Sequence, residues 1–110
     1  MQYQVEITYT RPSLDTAWGF PPINEILDSD QTNFPIDISM LKTLKEYMDS
    51  ISVTVTETGY NDLKYSFKAV FPDYESYLTY NAKQDDANID LFDNYLKTNN
   101  IVWTVSESYL

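Results

Sequence analysis

Four stretches of this chain alternate apolar and polar side chains one residue at a time, and that pattern restricts it to folds built around a sheet. Successive side chains of a strand point to opposite faces, so a period of two marks a ribbon with one buried side. Tyr3, Val5, Ile7 and Tyr9 alternate with Gln4, Glu6 and Thr8, and Arg11-Pro12 ends the run because proline has no N–H for a ladder. Ile51, Val53 and Val55 alternate with Ser52, Thr54 and Thr56. Gly59-Tyr60-Asn61-Asp62 then offers residues tolerant of positive φ, the chemistry of a hairpin turn. Beyond it Tyr65, Phe67, Ala69 and Phe71 oppose Lys64, Ser66 and Lys68, and near the end Ile101, Trp103 and Val105 oppose Val102, Thr104 and Ser106.

The intervening segments carry helical spacing. Ile38, Leu41, Leu44 and Met48 predict a helix over about Asp37 to Asp49, with Asp37 able to cap its first turn. Asp73 can cap a second helix that places Tyr74, Tyr77 and Leu78 together. The polar stretch Asn81 to Asp86 is expected to break or bend it before Ile89, Phe92, Tyr95 and Leu96 resume the stripe, and Asn99-Asn100 supplies a left-handed stop. Residues 11–36 hold four of the five prolines and form a long irregular connection, with a short helix expected from about Pro22 to Asp28.

At 110 residues the chain is read as a single α+β domain, 1–110, with one core. Four one-faced strands and two one-striped helices fit a ferredoxin-like β-α-β-β-α-β two-layer sandwich. It has a four-stranded antiparallel sheet, the first and third strands central, and the helices on one face. Glu6 should then pair across strands with Lys64 or Lys68. A four-stranded meander is the structural rival.

Composition removes several chemistries. There is no cysteine, so no disulfide, thiolate nucleophile or sulfur-ligated zinc, and no histidine, the side chain suited to proton transfer near neutrality. Only Gly19 and Gly59 are glycines, too few for a phosphate-cradling loop. A net charge of −10 opposes direct binding to nucleic acid or to anionic membranes. No signal-like N-terminus or apolar run long enough to span a membrane is present, which predicts a cytoplasmic protein. No cofactor is expected.

Three constellations remain as candidate sites. Asp28-Ser29-Asp30-Gln31-Thr32 resembles the start of a calcium loop, but Asn33 and Ser39 stand where such a loop needs glycine and glutamate, so a polar turn is the simpler reading. Asp86, Asp90 and Asp93 fall on one helical face, where three carboxylates could hold a hard cation or simply face water. Trp18 and Phe20, in the long connection, either fold back as a lid over the core or anchor a partner. Lying over a cavity lined by Tyr3, Tyr65 and Trp103, they would suit a small apolar ligand.

In the second half of the chain Phe71-Pro72-Asp73-Tyr74 leads into Tyr77-Leu78, a polar break, a second helical piece and the strand Ile101-Val102-Trp103-Thr104-Val105. With the order of elements, this resembles the dimeric α+β barrel families, the antibiotic-biosynthesis monooxygenase-like and stress-responsive barrel proteins. The resemblance implies a cavity between sheet and helices, and pairing through the sheet. The chain departs from it in lacking the histidine such cavities often hold, and in an outward face of Thr, Ser and Gln. Its composition, rich in Tyr, Asn, Asp and Thr, is also similar to small bacteriophage accessory proteins. The expectation is a non-enzymatic interaction module that binds a protein partner or itself. The alternatives are a small-molecule-binding protein or cofactor-free enzyme of the barrel type, and an acidic DNA mimic.

Overall fold

A computed structural model describes residues 1–110. Its elements are β1 (Tyr3–Thr10), 3-10 segments at Ile23–Asp28 and Gln31–Asn33, α1 (Ser39–Ser50), β2 (Thr54–Thr58), β3 (Lys64–Phe71), α2 (Tyr74–Ala82), α3 (Asp86–Thr98) and β4 (Val102–Tyr109). The four strands form one antiparallel sheet in the order β2-β3-β1-β4. The fold is α+β, the first and third strands are central, and the meander is excluded because β4 pairs with β1. Glu6 lies opposite Lys68, their charged atoms 3.9 Å apart, so of the two lysines expected it is Lys68 that pairs.

Local chemistry explains the helix ends. Asp73 Oδ1 accepts the Ser76 N–H at 2.7 Å and starts α2, while Asp37 Oδ1 accepts the Ser39 N–H at 2.9 Å ahead of α1. Asn100, at φ 58°, turns the chain out of α3. The Ser76 hydroxyl and N–H hold the Asp73 carboxyl below its ordinary range. A depressed folded value adds stability that is present above the unfolded pKa and lost as pH falls through the folded one. Asp73→Ala should therefore lower the melting temperature at neutral pH, and the gap to wild type should narrow progressively as melts are taken below about pH 3.9.

Two boundaries differ from expectation. The second strand begins at Thr54, because α1 runs to Ser50 and Ser52 takes φ 59° to turn the chain; Val53 is buried just ahead of the strand, and Ile51 belongs to the turn. The last strand starts at Val102 and continues to Tyr109, three residues past the alternation that announced it. The polar break is complete, leaving α2 and α3 as separate helices on either side of Lys83–Asp85.

Register arranges the core-facing side chains of β3, β1 and β4 in four rows: Tyr65-Tyr9-Trp103, Phe67-Ile7-Val105, Ala69-Val5-Glu107 and Phe71-Tyr3-Tyr109. The two outer rows are wholly aromatic. The two inner rows are mostly aliphatic and shorter. The long connection closes over the Tyr65-Tyr9 end, and α1 packs against its Ile23–Asp28 segment. No helix is long and apolar enough to cross a membrane.

Candidate functional site

The aromatic side chains gather at the two ends of β1. At one end Tyr9 stacks on Tyr65, ring centroids 5.9 Å apart, and Trp18 and Phe20 close over both at 5.7–6.3 Å. Trp18 and Phe20 are each only 2 % exposed, so their place in this structure is the lid over the core. The Trp18 indole donates to the Tyr60 carbonyl at 2.6 Å, and the Tyr60 hydroxyl donates to the Phe20 carbonyl. Arg11, the one buried charged residue, donates to the carbonyls of Asp62 (2.8 Å) and Thr16 (2.9 Å) and lies 4.7 Å from the Trp18 ring. These contacts tie residues 11–20 to the β2–β3 turn. At the other end Tyr3 meets Tyr74, Tyr77 and Tyr109.

Of the five residues singled out as a candidate binding set, Trp18, Phe20 and Tyr65 share one cluster, and Trp103 lies across from Tyr9 on the neighbouring strand. Tyr3 is six residues along β1 from Tyr9, about 20 Å at strand rise, in the other cluster.

Between the clusters the inner rows leave a gap. Aromatic rows at both ends keep the helices away from the sheet, and Ile7, Val5, Ala69 and Val105 are too short to fill the space. The result is a partly open cleft of two lobes, about 190 Å³ each, which share Ile7, Tyr80, Gln84 and Val105. Leu41, Phe92, Leu96 and Trp103 wall the first lobe, Phe67, Ala69 and Tyr77 the second. Gln84, from the break between α2 and α3, reaches into both. Trp103 is thus a cleft residue, while Trp18 is sealed beside it.

Few polar groups enter the cleft. Asp93 and Gln84 line its first lobe with Tyr9 and Tyr80. Burial, and then the nearby Tyr80 and Asp93, push the Tyr9 phenol well above its ordinary value. Burial, then Tyr77, pushes Tyr80 up to about 12, with Gln84 beside its hydroxyl opposing the shift. Both phenols stay protonated at neutral pH and can act as hydrogen-bond donors, not bases. No protein group partners the Tyr9 hydroxyl, and since no buried side-chain polar atom is left unpartnered, that hydroxyl is open to the cleft.

Sequence reasoning missed Glu57. It falls on the core side of β2, opposite Phe67, and accepts the Tyr65 hydroxyl at 2.5 Å, the Ile23 N–H, and the Asn24 N–H at 3.3 Å. The only signal was its parity with Val53 and Val55.

The metal candidates do not assemble. No three His, Cys, Asp or Glu side chains converge as ligands, so Asp86, Asp90 and Asp93 are a helical stripe, with Asp86 in the first turn of α3. In the calcium-like stretch Asp30 caps a 3-10 turn by accepting the Thr32 N–H at 3.0 Å.

The remaining feature is β4. Its eight residues pair with β1 on one side only. Its core-facing side chains are poorly covered: Trp103 is half-buried, Val105 52 % exposed and Tyr109 57 % exposed. Glu107 is the strand's one charge, and it accepts the Tyr3 hydroxyl at 2.9 Å.

No protein-family model and no curated protein matches the chain. Among solved structures, a provisionally assigned amidohydrolase/peptidase from Burkholderia cenocepacia is similar at 10 % identity and a TM-score of 0.36, over 98 % of this chain and 27 % of that one. The chain spans about a quarter of that protein's length, and at this likeness nothing about the site follows from it.

Proposed function

We propose that this domain is a non-enzymatic interaction module that associates through β4, with a second copy of itself as the partner. One observation carries the reading: β4 is a long edge strand guarded by a single charge, Glu107, which the Tyr3 hydroxyl engages within the chain. It holds no lysine and no proline, and the apolar side chains on its core side are left open beside it. Pairing two such edges antiparallel would satisfy their free backbone groups and cover Trp103, Val105 and Tyr109 together. The face away from the helices carries Thr104, Ser106 and Ser108 on this strand, which suits a hydrated rim.

Ser106→Lys tests the reading. Ser106 stands opposite Glu6, so the new lysine has an acid within its own chain while it guards the edge. Wild type should sediment as a dimer, with a melting temperature that rises with protein concentration, and the variant as a folded monomer whose melting temperature does not. Wild type that stays monomeric up to about 1 mM would end the proposal.

A second reading, a small-molecule-binding domain of the barrel type, is supported by the cleft between sheet and helices with Trp103 in its wall.

A further inference from the structure

We propose that the cleft takes a small ring compound carrying a protonated amine, its ring against Ile7, Phe92 and Val105 and its ammonium group at Asp93. The inference rests on the small-molecule reading and gives it a ligand class.

Size and lining select the ring. Each lobe, at about 190 Å³, exceeds the roughly 150 Å³ apolar cavity known to take up benzene. Eleven of the thirteen residues lining the first lobe are hydrophobic. Trp103, Phe92 and Tyr80 present aromatic surfaces to whatever enters.

Charge selects the amine. Asp93 is the one ionisable group of opposite sign to a cation in either lobe, and no lysine or arginine lines them. Asp93 forms no ion pair; the two in the molecule are Lys45–Asp49 and Lys68–Glu6. Asp93 lines the same lobe as Tyr9, whose hydroxyl has no protein partner. An ammonium at this point would meet one carboxylate and one phenol oxygen with apolar walls around them, where charge-assisted hydrogen bonds are strong. A carboxylate ligand there would face Asp93 with nothing to compensate it.

Phenethylamine, 2-phenylethanol and phenylacetate share a ring and chain length and differ in charge. Titrating each into the ¹⁵N-labelled protein reads two indole N–H signals, one for each tryptophan. Phenethylamine should shift the Trp103 signal and leave that of Trp18, which is held by the Tyr60 carbonyl. It should bind at least about tenfold tighter than phenylacetate, with the alcohol between them. Asp93→Asn should abolish that order, and Asp90→Asn, on the same helix but outside the cleft, should preserve it. Equal binding of the three probes, or an order that survives Asp93→Asn, overturns the amine assignment and leaves the small-molecule reading intact. No shift of Trp103 with any probe overturns both.

Discussion

Gly59→Ala is expected to destabilise the domain by about 3 kcal/mol or more. Gly59 sits in the β2–β3 turn at φ +77°, a conformation that L side chains rarely adopt. A Cβ there would lie 2.1 Å from the Lys64 carbonyl oxygen. That oxygen belongs to the backbone of β3, where the sheet begins, so it cannot swing aside as a side chain could. Asparagine, which tolerates the φ, would carry the same Cβ and should not rescue the turn. The turn also holds the Asp62 carbonyl that Arg11 grips and the Tyr60 carbonyl that Trp18 grips, so disturbing it loosens the lid as well. Urea unfolding should show the loss in the midpoint, with a melting temperature lower by about 12 °C or more. A change of under about 1 kcal/mol would mean that the turn is not built as described.

Glu57→Ala should cost about 3 kcal/mol, through the groups it abandons more than through the side chain it removes. Tyr65 is completely buried and its hydroxyl donates to Glu57, while the same carboxylate receives two backbone N–H groups at the start of the Ile23–Asp28 segment. Removing the acceptor leaves a phenol and an N–H buried without partners, each at about 1–3 kcal/mol. Glu57→Gln keeps the amide oxygen where the Tyr65 hydroxyl and the Ile23 N–H converge, so it should lose far less. Adding Tyr65→Phe to Glu57→Ala should return part of the stability by deleting the orphaned hydroxyl, a coupling that a double-mutant cycle measures. If the double variant were as unstable as the two single losses added together, Glu57 would act through the Ile23 and Asn24 N–H groups and not through the Tyr65 hydroxyl.

The alternation that fixed the faces of β1 and β3 was visible because both are central strands, buried on one side except at Ile7, which lines the cleft. Their apolar residues had no other place to go, and the Glu6–Lys68 pair followed from register. The edges were less legible. β2 puts Glu57 on the core side, where its parity with Val53 and Val55 pointed but its charge did not, because the partners that satisfy it come from Ile23, Asn24 and Tyr65, distant in sequence or on another strand. β4 extends past Val105 because pairing with β1 continues to Tyr109, whatever its side chains prefer. The aromatic lid was legible as composition, since Trp18 and Phe20 must find cover somewhere, but the side of the core they close was not.

By itself, then, the sequence determined the local periods, the caps and the charge, and through these the order of strands and helices and the side of the sheet that is buried. Those properties depend on neighbours within a few residues and on water, and both are written in the chain. Tertiary structure alone decided that the outer rows of the sheet are aromatic and the inner rows short, and so that a cleft opens between them with Trp103 and Asp93 at its wall. Each row joins residues from three strands up to about a hundred positions apart, and the space above it depends on how closely the helices can approach once the bulkiest side chains have met.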